Sequence, residues 1–341
     1  MPLTLTRKPR VSPRAAIIAT ATILALIVSY RFGIVSGAGA PPASVREFPV
    51  PTSNGFPHDP AVDRAGRVYF TEINANKIGR LNPASGRCDE FAVPSADSGP
   101  HGIVVGDDGW VTFTENRAGK IGRFDPGREQ FHEYAVAGAD DPHTPVLAPD
   151  GAIFFTAQRA DVLGRLEPSS GAVTIFAVPT PGAMPYGIRL GPDGALYFCE
   201  FGSNKIGRFD RASHRFEEFT TPTAASAPRR LWFDRSDLYF TEYAAGRLAR
   251  LRLGDRGFKE WLSPGGAGSK PYGIAIDGHG AVWYEESARG VLVRFDPQAE
   301  RFTATLAIPT PGAVVRNMDV APDGRVWMAL SGVDRLGVIL E

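Results

Sequence analysis

Cysteine is scarce: two residues in a chain of 341. That excludes a disulfide-built scaffold and a thiolate metal site. Cys88 falls on a predicted outer strand of the first of a series of repeats, and Cys199 on an inner strand of the fourth, too far around the chain to be bridged. Amphipathic helical periodicity of useful length is missing from the repeats, which excludes helical solenoids and bundles. Net charge is missing too, with 37 basic and 37 acidic residues. The first forty residues hold five of the basic ones and no acidic one, so the remainder stands at 32 against 37. A mildly acidic body is a poor partner for nucleic acid. Long apolar runs are limited to one, Ala15–Tyr30.

What is present is a repeat. A motif opening at Pro57, Pro100, Pro142, Pro185, Pro228, Pro271 and Val315 returns every 42–44 residues. Tyr69-Phe70-Thr71-Glu72 follows the first copy, then Asn76-Lys77-Ile78-Gly79-Arg80, and both signatures recur. Each unit holds four runs of strand length; in the second they are Gly102–Val105, Trp110–Thr114, Lys120–Phe124 and Phe131–Val136. Asp-Gly pairs such as Asp108-Gly109 and Asp150-Gly151 supply tight turns between the first and second runs. Four antiparallel strands in about forty residues predict a propeller blade, and the chain an all-β, seven-bladed β-propeller. The fourth-strand pattern Glu-Phe-x-Val-Pro also occurs at Glu47–Pro51, ahead of the first blade, while the last unit has room for only three strands. The N-terminal strand is therefore expected to complete the last blade and close the ring, which hides two sheet edges and favours a monomer.

Residues 1–45 read as a separate region ahead of a propeller at 46–341. Arg7, Lys8, Arg10 and Arg14 precede the apolar run, and Ala38-Gly39-Ala40 resembles a cleavage site followed by an unfavourable Pro41. Either a cleaved signal or a retained membrane anchor fits, and both place the propeller outside the cytoplasm, periplasmic or secreted.

Residues shared by all blades are expected to hold the fold. They are the aromatic position (Phe70, Phe113, Phe155, Phe198, Phe240, Tyr284, Met328), the following Glu (Glu72, Glu115, Glu200, Glu242, Glu286) and the Arg ending the third strand. Glu and Arg are expected to pair within or between blades. The position after the repeat proline behaves otherwise: His58, His101, His143, Tyr186, Arg229, Tyr272 and Arg316, with Gly or an apolar residue expected next. The first strand of each blade lines the channel, so all seven should gather at one mouth and bind a ligand there. Histidine supplies a base or metal ligand, and Arg229, Arg230 and Arg316 could receive a carboxylate or ester oxygen. Asp141, before His143, adds a hard-metal ligand. His132, His214 and His279 fall on outer strands or turns and should face solvent.

These motifs, Pro-His/Tyr-Gly-Ile, Tyr/Phe-Phe-Thr-Glu, Asn-Lys-Ile-Gly-Arg and Glu-Phe-x-Val-Pro, resemble those of the streptogramin B (virginiamycin B) lyase family over roughly Arg46 to Glu341. The resemblance implies a propeller that opens a cyclic depsipeptide at its ester by elimination. In that family a histidine takes the proton α to the carbonyl, and magnesium held by acidic residues stabilises the charge that forms. The family's two functional histidines follow the repeat proline in the last two blades, where this chain has Tyr272 and Arg316; Val314-Val315 and Leu330-Ser331 stand where its acids belong. A rotated set is the alternative: His143 as base, His101 holding substrate, Asp141 on the metal, with Glu115 or Glu200 replacing the acid that Gln158 lacks. Two other readings stay open. One is a non-catalytic envelope module binding a small polar or cyclic-peptide-like ligand, glycan or protein. The other is a calcium-dependent lactonase-type hydrolase, which needs a dense carboxylate site at the channel.

Overall fold

The computed structural model describes residues 43–341. The N-terminal segment expected to act as an export signal or anchor, with its expected cleavage site, lies outside the described residues. Ala43–Leu340 forms one compact unit of seven four-stranded antiparallel sheets, and no helix occurs among the described residues. The first blade is typical. Strand β2 (Pro57–Val62) is innermost, β3 (Val68–Glu72) and β4 (Lys77–Leu81) follow, and β5 (Cys88–Ala92) is outermost. Ring closure is as expected. The last blade has the order β1 (Ser44–Pro49), β28 (Arg335–Leu340), β27 (Val326–Ser331), β26 (Val314–Val320), with Phe48 opposite Leu336.

Two lattices of repeat residues join neighbouring blades. On the outer side, the fourth-strand Glu accepts from a Thr or Ser in the loop leaving the previous blade. Thr52 N and Oγ1 donate to Glu90 at 2.9 and 2.6 Å, Ser95 to Glu133 at 2.9 and 2.8 Å, and Thr180 to Glu218 at 3.1 and 2.7 Å. The same link closes the ring where Thr310 donates to Glu47. This explains the Glu-Phe-x-Val-Pro signature. On the inner side, the strand-two Thr bonds the next blade's ring residue: Thr71 Oγ1 donates to the His101 carbonyl at 2.7 Å, Thr114 to that of His143 at 2.9 Å, Thr156 to that of Tyr186 at 2.7 Å and Thr241 to that of Tyr272 at 2.8 Å.

The aromatic position is core, with Phe70, Phe113, Phe155 and Phe198 fully buried. Each faces a glycine on strand three; a Cβ on Gly79 would lie 2.0 Å from the Phe70 ring. The terminal Arg pairs as expected, Arg80 with Asp89 at 3.1 Å and Arg123 with Asp108 at 2.8 Å.

The shared Glu follows the expected pairing at Glu286, which Arg289 meets at 2.6 Å, and departs from it in other blades. Glu72, Glu115 and Glu242 are fully buried with neither carboxyl oxygen bonded. Burial and the neighbouring fourth-strand Glu push their pKa values up, to about 8 for Glu72 and Glu242 and about 7 for Glu115. They fill space without a cation partner, because Lys77 and Lys120 are already taken by the fourth-strand Glu. Cys88 and Cys199 are both free, and His132, His214 and His279 are exposed.

Candidate functional site

The innermost strand of every blade carries a bulge directly after the repeat proline. In the first, Pro57 pairs with Glu72 and Pro60 with Phe70, leaving two residues, His58 and Asp59, where a regular ladder has one. The same irregularity recurs in all six other blades. A bulge re-aims side chains, and here it turns two consecutive residues per blade into the channel.

The first of each pair forms the expected ring. His58, His101, His143 and Tyr186 stack in sequence with centroids 3.9, 4.1 and 4.0 Å apart and planes inclined at 46, 50 and 49°. Those angles match the roughly 51° between blades that sevenfold repetition imposes, so the four rings are a fan following the propeller's symmetry. The Tyr186 and Tyr272 hydroxyls meet at 2.5 Å. Arg229 lies over Tyr272 at 4.1 Å and Tyr243 at 4.2 Å; Arg316 lies over Phe56 at 5.3 Å and Tyr272 at 5.7 Å. All six residues expected to bind substrate, and His143, share this one mouth.

The second residue of the pair is the expected Gly in three blades and a polar residue in the other four. It is Asp59, Gly102, Thr144, Gly187, Arg230, Gly273 and Asn317, so glycine alternates with a polar side chain. Glycine is required at Gly102, where a Cβ would lie 2.3 Å from the His143 carbonyl. The four polar residues knit into a plug across the channel. Arg230 Nη2 donates to both Asp59 oxygens at 3.2 Å, Nη1 to Thr144 Oγ1 at 3.2 Å and Nε to the Arg316 carbonyl at 3.1 Å; Asn317 Nδ2 donates to Asp59 at 2.9 Å. Arg230 is therefore a structural cation, committed to Asp59 and not open to a ligand. Below the plug is a cavity of about 90 Å³ lined by Pro60, Ile103, Arg189 and Asp319 among others.

Electrostatics divides the mouth. Burial pushes His58, His101 and His143 below the ordinary histidine range, so all three are neutral at pH 7. His58 Nδ1 donates to Asp59 at 2.8 Å. Burial alone would raise the Asp59 pKa, but the charge of Arg230 and the bond from His58 outweigh it and hold the carboxyl well below the carboxylate range. The rest of the ring holds Arg229 and, on the blade next to that of His58, Arg316. Neither guanidinium makes an ion pair among the described residues, and the Nε of each is buried without a hydrogen-bond partner. Glu285, missed by the sequence reading, stands where other blades have the bonding Thr. It is fully buried, bonds Val315 N at 3.1 Å and Ser287, and burial pushes it up to about 7.

The rotated catalytic set does not assemble. His143 Nδ1 bonds Thr144 Oγ1 at 2.9 Å, while Asp141 Oδ2 accepts from Arg159 N at 2.8 Å and Nε at 3.2 Å. Asp141 thus faces the outer turn of its own blade, because Arg159 in the sequence-adjacent hairpin claims it. Glu115 and Glu200 are buried as packing carboxyls pushed up to about 7, not poised as metal ligands. Magnesium wants several hard oxygen donors. Here Asp59 is saturated, Asp141 is tied to Arg159, and the His/Cys/Asp/Glu cluster of ligand spacing among the described residues is His58, Asp59 and His101. The donors do not fit magnesium, nor the dense carboxylate set of a calcium-dependent lactonase.

Fold and mouth together define a propeller whose plugged channel carries a ring of His, Tyr and Arg side chains at one end. The chain belongs to the virginiamycin B lyase family, whose model matches residues 37–259. A solved streptogramin B lyase is 28% identical, covering 87% of this chain and 97% of its own, with a TM-score of 0.81. Virginiamycin B lyase from Staphylococcus aureus is 26% identical over 88% of this chain and 99% of its own, also at 0.81. A catalytically inactive His-to-Ala form of that enzyme, solved with quinupristin, superposes equally well. No curated protein matches significantly.

Proposed function

We propose that the channel mouth is a non-catalytic binding site for a small ligand that carries an anionic group, such as a carboxylate, on an apolar or peptide-like body. The supporting observation is the pair Arg229 and Arg316: two cations stacked on Tyr272 with buried, unbonded Nε groups. An unpaired buried donor is costly unless a ligand satisfies it, and two guanidiniums on aromatic faces offer the forked geometry that a carboxylate prefers. The tyrosines and stacked histidines give the ligand's body a flat, polarisable wall. With the N-terminal segment as export signal or anchor, such a protein would work in the cell envelope.

The test is calorimetric titration of malonate into the purified protein. Binding lost in Arg229→Met and in Arg316→Met supports the reading; no binding, or binding indifferent to both changes, removes it.

A second reading, elimination-type ring opening, is favoured by the likeness to a lyase solved with quinupristin. Incubation with quinupristin separates the readings. A non-catalytic module returns it unchanged, elimination gives a product of altered retention and unaltered mass, and hydrolysis adds one water.

A further inference from the structure

We infer that the histidine half of the mouth is a binding site for a divalent transition-metal ion, zinc or a chemical relative, held by imidazole nitrogens of His58 and His101 with His143 beside them. This deepens the anion reading, since the same mouth would hold both.

Three observations carry it. One ring nitrogen each of His58 and His101 and an Asp59 oxygen all lie within 4.8 Å of one another, which gathers two imidazoles and their orienting carboxylate into one cluster. The nitrogens are free for it. His58 commits Nδ1 to Asp59 and His143 commits Nδ1 to Thr144, so each keeps Nε2; His101 Nδ1 is buried with no partner. And the carboxylate–histidine arrangement is already in place: Asp59, fixed by Arg230 and Asn317, holds one ring nitrogen of His58, as an outer partner does for a metal-bound imidazole. Asp59 acts there as an orienting group, because direct ligation would break its bonds to Arg230.

Imidazole donors select zinc, copper or nickel over magnesium and calcium. The same burial that keeps the three histidines unprotonated keeps their lone pairs available near neutral pH. The charges facing the site also bear on it. Asp59 and Arg230 cancel, while Arg229 and Arg316 repel a bare cation. An anion that bonds those guanidiniums and also ligates the metal relieves the repulsion, so metal and anion should each strengthen the other's binding.

The experiment is titration of Zn²⁺ into the full chain, alone and with malonate, alongside Mg²⁺. Wild type is expected to bind one zinc, more tightly with malonate, and no magnesium. His58→Gln and His101→Gln should each weaken zinc by more than the roughly 10–100-fold that an outer partner's loss causes, with exposed His214→Gln as control. Cobalt substitution in the wild type gives a readout independent of variant folding, since nitrogen ligation at low coordination number produces strong visible bands. No zinc binding with or without malonate, binding unchanged in His101→Gln, or only the faint spectrum of hydrated cobalt overturns the proposal. Malonate binding alone with no zinc would leave the anion reading standing and this one refuted.

Discussion

Arg230→Met is the substitution with the largest expected consequence. The wild-type Asp59 carboxylate is fully buried and holds four contacts, from His58 at 2.8 Å, Asn317 at 2.9 Å and Arg230 to both oxygens at 3.2 Å. Removing the guanidinium leaves a buried charge with two donors, and breaking such a pair costs about 3–5 kcal/mol. The bonds to Thr144 and the Arg316 carbonyl go with it. That is a large part of the ~5–15 kcal/mol that holds a domain folded. The double variant Asp59→Asn with Arg230→Met has no stranded charge, so it should recover most of the loss, and the cycle should show a coupling of about 2–4 kcal/mol.

The pH dependence is a second check on the cause. In the wild type, the Asp59 pKa is depressed in the folded state below its unfolded value, so its stabilisation is fully present above about pH 4 and is lost only as pH falls further. In Arg230→Met, burial is opposed only by the bonds from His58 and Asn317 and is expected to raise the folded pKa above the unfolded one, so the variant loses stability as pH rises from about 4. The penalty should therefore be smaller at pH 5 than at pH 8. Urea unfolding followed by tryptophan fluorescence reads both. A penalty equal at the two pH values, with no rescue by Asp59→Asn, would refute the account of the plug as a charge pair.

Two further outcomes are expected. Glu72, pushed up to about 8 by burial and Glu90, contributes stability that is present below about pH 4.5 and lost as pH rises through 8; Glu72→Gln should remove that loss, leaving the variant roughly 1–3 kcal/mol more stable than wild type at pH 9 by urea unfolding, and no more stable at pH 5. Phe48 is 6% exposed and packs on Trp327 with centroids 5.4 Å apart, so Phe48→Ala should cost about 3–5 kcal/mol at the seam where the N-terminal strand closes the ring, measured by the same unfolding midpoints.

Much of the fold was legible because a propeller is written repeatedly. Seven copies of one motif fix the blade count, and the displaced fourth-strand pattern at Glu47–Pro51 reveals closure without any structure. The ring was legible for the same reason: aligning the copies puts seven varied residues at one equivalent position. The plug was legible in principle and overlooked. The next column of the alignment alternates Gly102, Gly187 and Gly273 with Asp59, Thr144, Arg230 and Asn317, which a reader expecting ordinary strand alternation assigns to the core. The bulge invalidates that expectation, and no local sequence signal announces it. The buried glutamates were illegible for another reason. Whether a strand-end carboxyl meets a cation depends on which side chain reaches Lys77 first, and Glu90, one strand further out, gets there.

The rotated catalytic set failed on distance along the chain, and the failure is instructive about symmetric scaffolds. Sevenfold repetition makes blade positions equivalent for the backbone but not for side chains, because each site is finished by its neighbours. Asp141 precedes His143 as the family's acid precedes its histidine, yet Arg159 in the adjoining hairpin captures it. The asymmetry that survives is therefore the informative one. Alternation of large and small cannot be completed around an odd number of blades, and the mismatch falls where Asn317 of the last blade meets Asp59 of the first. There the plug gains its third donor, the carboxylate becomes fixed, and His58 above it is oriented with one nitrogen free. Three neutral histidines on consecutive blades then share the mouth with two arginines whose Nε groups are buried and unbonded. That arrangement favours a ligand with a defined direction, anionic at one end and able to meet nitrogen donors at the other.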